Sequence, residues 1–274
     1  MLYLVHPQNL KMELSFYKYQ GTGNDFVLID NRWNIVSKND TNLIRRLCDR
    51  KFGIGADGLL LLEKADSEEV DFNMVYFNAD GNLSSMCGNG GRCIVAFAHF
   101  LEIIGKETVF QAVDGLHRAQ ISDHDIVRLE MRNVDRIQKQ EDFVFLDTGS
   151  PHHVVFSDDV DAIDVKNQGA AIRNSQSYSK IGGTNVNFVE VQEDDSIKVR
   201  TFERGVEDET LSCGTGVTAA AIAALHKELV QSHKIEVHTP GGRLVVDLEE
   251  SEKGYRNIWL SGPAKRVFHG TIRI

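Results

Sequence analysis

The sequence predicts a mixed α/β fold built as two similar halves, each a run of short strands with one buried helix. Two observations predict it. The stretch Cys87-Gly88-Asn89-Gly90-Gly91 leads into a run without charges, Ile94-Val95-Ala96-Phe97-Ala98, and Cys213-Gly214-Thr215-Gly216 leads into Val217 to Leu225 in the same way. The second observation is spacing. Cys213 follows Cys87 by 126 residues, Thr148-Gly149 follows Thr22-Gly23 by 126, and Gly241 follows Gly115 by 126, while Phe202-Glu203 follows Phe77-Asn78 by 125. Offsets that agree across the chain point to a duplicated unit.

In chain order, residues 1–11 read as an extension with no clear role, followed by a strand from Glu13 to Lys18. The glycine turn Gly21-Thr22-Gly23-Asn24-Asp25 precedes a short buried strand, Phe26 to Ile29. Asp40-Thr41 caps a short helix, Leu43 to Asp49, which places Cys48 on its apolar face as a core residue. Leu59 to Leu62 and Val70 to Phe77 are strands, the second ending at Asn78-Ala79-Asp80-Gly81. After the Cys87 helix, Thr108 to Val113 and Leu116 to Ile121 form a hairpin on an Asp114-Gly115 turn. Asp25 and Asp80 are turn formers.

The second half repeats this order. Phe143 to Leu146 reaches Thr148-Gly149-Ser150-Pro151-His152, a helix spans Val165 to Arg173, and Val186 to Val191 and Ile197 to Phe202 are strands. The Cys213 helix is followed by the hairpin Ile235 to Thr239, Pro240-Gly241-Gly242, Leu244 to Leu248. The domains are therefore 12–133 and 134–264, with the boundary in the polar stretch Asn133 to Asp142. The alternating tail, residues 265–274, can add a strand to either half, including a return to the first.

Asp plus Glu number 40 against 30 Lys plus Arg, a net charge of −10 that argues against nucleic acid or an anionic membrane as partner. The four cysteines, Cys48, Cys87, Cys93 and Cys213, form no C-x-x-C pair and no zinc spacing. No signal-peptide pattern or membrane-length apolar run is present, so a reducing cytoplasm with free thiols is the expected setting. Neither a metal motif nor a dinucleotide fingerprint appears, and no lysine stands out as a Schiff-base former.

Glycines at a helix start leave backbone N–H groups open to an anion, and the positive helix end lowers a neighbouring thiol's pKa. If the halves pack face to face, two such thiols meet across one cleft. A structural disulfide would need an oxidising compartment, and tight turns alone would not explain a symmetric pair. The chemistry that uses both features is two-base proton transfer at carbon: one thiolate removes a proton, and the opposite thiol supplies one to the other face. The helix-mouth N–H groups would hold the charge that builds on an adjacent carboxylate. Cys93, inside the first helix, reads as packing. Arg204 reads either as a fork for a substrate carboxylate or as a surface partner of Glu207 or Asp208.

The motifs GTGNDF (Gly21 to Phe26), FNADG (Phe77 to Gly81), CGNGGRC (Cys87 to Cys93), ERG (Glu203 to Gly205) and CGTG (Cys213 to Gly216) resemble diaminopimelate epimerase, in that family's order and from about Met12 onward. The resemblance implies two pseudo-symmetric α/β (α+β) domains, each a mixed, mostly antiparallel sheet wrapped around a central helix. It implies interconversion of LL- and meso-diaminopimelate without pyridoxal phosphate or another cofactor, in lysine and peptidoglycan precursor synthesis, in a family that tends to form homodimers. Cys87 and Cys213 would be the acid–base pair. Asn24, Asn78 and Asn185 would bind substrate polar groups, and Gly88, Asn89, Gly214 and Thr215 would hold the reacting carboxylate. Glu203, Arg204 and His152 match further family positions. Ser150 stands where the family commonly has Asn, and Gly58 where it often has Gln. Proline racemases resemble the chain less, since they typically carry His in place of Asn89. A proline racemase-like enzyme and a non-catalytic amino-acid-binding protein are the alternatives, separated by a substrate panel and by solvent exchange at the α-carbon.

Overall fold

The computed structural model describes residues 13–84 and 86–274. The extension expected over 1–11 lies outside the described residues. The first half contains β1 (Glu13–Gly21), β2 (Asn24–Asp30), α1 (Thr41–Cys48), β3 (Gly58–Lys64), β4 (Phe72–Asn78), α2 (Gly88–Phe100), β5 (Glu107–Ala112), β6 (Gly115–Ile121) and β7 (Ile126–Glu130). The second contains β8 (Ile137–Lys139), β9 (Val144–Asp147), β10 (Pro151–Phe156), α3 (Val165–Arg173), β11 (Asn185–Val191), β12 (Ile197–Glu203), β13 (Asp208–Thr210) and α4 (Gly214–His226). It continues through β14 (Lys234–Thr239), β15 (Gly242–Ser251), β16 (Gly254–Pro263) and β17 (Lys265–Arg273).

Each half curls a sheet around its own helix. In the first, β1 to β7 pair in sequence, with parallel steps at β2–β3 and β4–β5 and antiparallel steps elsewhere. The second repeats this, with parallel steps at β10–β11 and β12–β14. Alternation along the strands explains the layering. Phe26, Leu28, Leu60 and Leu62 pack with α2, whereas Val27, Ile29, Leu59 and Leu61 pack on the other face with Ile44 and Leu47 of α1. Helices α2 and α4 are buried on nearly every side, which is why they carry no polar stripe.

Two pairings join the halves. Strand β7 lies antiparallel to β16, with Leu129 opposite Leu260, so the sheet is continuous. The tail strand β17 returns to the first half and pairs with β1 from Glu13↔Arg273 to Gln20↔Lys265. In the second half β8 does for β9 what β17 does for β1, so the polar boundary stretch contains a strand. The hairpin turns also differ from expectation. Ala112 pairs with Gly115 and Thr239 with Gly242, so the turns are Val113-Asp114 and Pro240-Gly241. The equivalent glycines are Gly115 (φ 129°) and Gly242 (φ 134°), each flanking its turn. Among the described residues, no helix is long and apolar enough to cross a membrane.

Candidate active site

The two cysteines cap the two central helices with nearly the same backbone, φ −117° and ψ 123° at Cys87, φ −118° and ψ 111° at Cys213. Neither helix has a side-chain cap, so its first N–H groups remain open. The helix mouths touch through glycine. A Cβ added to Gly88 would lie 3.6 Å from the Gly214 Cα, and one added to Gly214 would lie 3.5 Å from the Gly88 Cα. Larger residues would hold the two thiols apart. Both thiols line one cavity of about 1420 Å³, together with Asn24, Asn78, Glu203 and Arg204.

The thiols do not rest in the state expected of a helix mouth. N–H groups of Gly90 and Asn89 lower the Cys87 pKa, as the Gly216 N–H and Thr215 hydroxyl lower that of Cys213, but burial outweighs them and pushes both up. The Glu203 carboxylate pushes both further up, and burial raises the pKa of Glu203 itself. A thiolate therefore needs compensating positive charge inside the cleft.

The asparagines divide by role. Asn78 is exposed in the cleft. Asn24 is held in the wall: its Nδ2 donates to Asp57 Oδ2 (2.7 Å), and its Oδ1 faces the Cys87 thiol at 3.7 Å. Asp57 in turn accepts from Arg50, which also grips Asp25 (2.7 Å to each). Asn185 donates to Ser150 Oγ (2.9 Å) and accepts from the Arg204 N–H (2.9 Å), so it shapes the wall that presents Arg204. Asn89 is buried, donating to the Ser212 carbonyl at 2.9 Å. The strand registers set Gly58 in the place of Asn185 and Asn78 in the place of Glu203, since Phe26 faces Gly58 as His152 faces Asn185.

Glu207 pairs with Arg173 and Asp208 with Lys166, so neither takes Arg204 as a surface partner. Among the described residues, the Arg204 guanidinium hydrogen-bonds only the Ile181 and Gly183 carbonyls, at 3.3 and 3.4 Å, leaving donors for a carboxylate.

His152 lies behind the wall, fully buried. Asn187 Nδ2 donates to its Nδ1 (3.0 Å), which leaves the proton on Nε2 facing Ser150 Oγ (3.1 Å). Ser150 Oγ lies 3.4 Å from Thr215 Oγ1, which lies 3.4 Å from Cys213 Sγ. A line of contacts through two hydroxyls thus connects His152 to Cys213. Its pKa is lowered to about 3 by burial and by Arg204, and burial lowers neighbouring His153 to about 4. Both groups take up protons near pH 6.5 when unfolded. The unfolded chain therefore binds more protons below about pH 6.5, and stability falls as pH drops. Each histidine withdraws up to about 1.4 kcal/mol per pH unit in that window. Urea midpoints should fall between pH 7 and pH 5, and less steeply in His153→Phe, which keeps the stack on Phe143 (centroids 4.3 Å apart).

Two site residues escaped the sequence reading. The Tyr76 ring covers Gly58, where an added Cβ would lie 2.5 Å from the Tyr76 Cε2. Its phenol, held neutral first by burial, lies within electrostatic reach of Cys87, Asp57 and Glu203. The available signal was Gly58 itself, a departure that left space for a neighbour. The other residue, Arg92, had a plainer signal: it is the one charge in a helix that reads as wholly buried.

Two curled half-sheets, each with a helix mouth open to a shared cleft, define the class of racemase- and isomerase-like folds. The chain superposes on a phenazine biosynthesis protein of the PhzF family from Bacillus anthracis with a TM-score of 0.76 at 13% identity, covering 96% of this chain and 100% of that one. It superposes on a probable proline racemase from Agrobacterium radiobacter K84 with a TM-score of 0.67 at 16% identity, covering 95% and 93%. The family model for diaminopimelate epimerase matches residues 16–136 and 144–267. The chain is 53% identical to the diaminopimelate epimerase of Flavobacterium psychrophilum, over 94% of this chain and all of that one. It is 43% identical to that of Chlorobaculum tepidum, over 93% and 99%. The chain belongs to the diaminopimelate epimerase family.

Proposed function

We propose that this chain interconverts LL- and meso-2,6-diaminopimelate by two-base proton transfer between Cys87, the substrate α-carbon and Cys213, in lysine and peptidoglycan precursor synthesis. The observation that carries the reading is the contact of Gly88 with Gly214, which sets two N-cap thiols across one cleft. The substrate enters with its carboxylate toward the open N–H groups of both helices, and Glu203 takes its ammonium. One thiolate accepts the α-proton: the C–H bond breaks, an S–H bond forms, and the electron pair spreads into the carboxylate. The helix-mouth N–H groups stabilise the charge that has moved there. The opposite S–H bond then breaks, its proton joins the other face of the carbon, and that sulfur is left as the thiolate. Configuration inverts, and the reverse reaction starts from the second thiol. Asn78 and Arg204 hold the remaining polar groups, while Asn24, Asn185 and His152 keep the wall in register. The same reading places the protein in a reducing cytoplasm, as a homodimer.

Turnover in deuterium oxide tests it. Product formed early should carry one deuterium at the inverted carbon, while remaining substrate keeps its hydrogen. Equal label in both would indicate a single base and defeat the scheme.

A further inference from the structure

Arg92 is fully buried, in the middle of the core around α2. A buried cation is costly unless an anion or a full set of acceptors meets it. Among the described residues no carboxylate lies at ion-pair distance from it, and its Nε has no hydrogen-bond partner. Its other nitrogens donate to Asn89 Oδ1 (2.9 Å), Thr22 Oγ1 (3.1 Å) and, at 3.4 Å, the Gly88 carbonyl.

Those acceptors are the parts that join the two helix mouths. Asn89, its oxygen held by Arg92, points its amide N–H at the Ser212 carbonyl (2.9 Å), one residue before Cys213. Thr22 donates its hydroxyl to Ser212 Oγ (3.0 Å). The fold also makes room for the guanidinium. A Cβ on Gly21 would approach its Nη2 at 3.4 Å, and one on Gly262 would approach Nε at 3.2 Å. Glycines from β1 and β16 thus flank one charged group.

We propose that Arg92 is a positioning residue for the epimerisation: its guanidinium locks the two helix mouths together through Asn89, Thr22 and Ser212, and supplies the fixed positive charge that lets Cys87 ionise. Its place supports this: the guanidinium donates to the carbonyl of Gly88, next to Cys87, and to the side chain of Asn89 one residue further on. Glu203 from β12, Tyr76 from β4, Cys213 from α4 and Cys93 from α2 all face it as neutral or negative groups, and Arg92 is the cation among them. Burial pushes Cys93 up to about 12, so that thiol stays protonated and leaves the charge of Arg92 available to Cys87.

The test compares Arg92→Met, Arg92→Lys and Thr22→Ala in the full chain. Losing the cation should move the rising limb of the kcat/KM pH profile, and the midpoint for Cys87 alkylation by iodoacetamide, upward by about one pH unit or more. Arg92→Lys should restore that midpoint but leave kcat about tenfold low, because one ammonium cannot span Thr22 and Asn89 as the planar fork does. Thr22→Ala should lower kcat with KM and pH midpoint unchanged. A folded Arg92→Met protein with wild-type pH and alkylation profiles would overturn the charge role. Wild-type kcat in Thr22→Ala would overturn the locking role. If Arg92→Met does not fold, the alkylation midpoint of Arg92→Lys decides: the wild-type value supports the proposal, and an upward shift overturns it.

Discussion

Alanine at Cys87 or at Cys213 should lower epimerisation by about 10²-fold to 10⁴-fold, the scale of losing a positioned acid–base group. Stability should change by only about 1 kcal/mol, since one sulfur atom is removed and the central helices remain buried. A more specific outcome follows from the two-sided geometry. Each variant keeps one sulfur, so it should still exchange the α-hydrogen of one epimer with solvent deuterium, without inversion. Cys87→Ala and Cys213→Ala should retain exchange on opposite epimers. Mass spectrometry of recovered substrate reads this directly, and exchange of the same epimer by both variants would mean that the sulfurs do not flank one carbon.

Valine at Gly214 should be nearly as damaging to rate, though the residue bears no reactive group. A Cβ there already comes within 3.0 Å of Leu260 Cδ2 and 3.5 Å of the Gly88 backbone, and the γ-carbons of valine must push the helix mouths apart. A displacement of roughly 1 Å at a reacting centre costs about 10²-fold in kcat. Overpacking should lower stability by about 1–3 kcal/mol. Gly105→Ala is the control, because no atom lies within 4 Å of its added Cβ. Wild-type kcat in Gly214→Val would show that close contact between the mouths is not needed for turnover.

The repeat was legible because it is carried by local chemistry. A helix start that must be open to a ligand needs glycine, and a helix buried on all sides needs small apolar residues, so α2 and α4 announced themselves. The cap at Asp40 and the extent of α3 were legible for the same reason, a short-range pattern with a short-range cause. The first hairpin turn was misplaced by one residue and the second drawn one residue too long, because Asp114-Gly115 and Gly241-Gly242 each allow two registers. Cross-strand packing chose the one in which glycine flanks the turn. Strands β13 and β16 were missed: β13 is only three half-buried residues, Asp208–Thr210, and in β16 the exposed pair Arg256-Asn257 interrupts the alternation that would mark a strand.

The site divides in the same way. Its motif residues could be named from spacing, but not their duties. Asn24, Asn89 and Asn185 differ from Asn78 only in what surrounds them, and those partners lie up to 123 residues away. The expectation of low thiol pKa values used the helix alone, a local effect, and the burial that reverses it comes from the whole core. By itself the sequence determined that there are two like halves, each presenting a thiol at a glycine-rich helix mouth, because backbone conformation and helix burial are written in neighbouring residues. Only the tertiary structure decided which glycines touch, which amides are free, and that a buried arginine stands behind one thiol. Those facts depend on distances between segments far apart in the chain, and no local pattern encodes them.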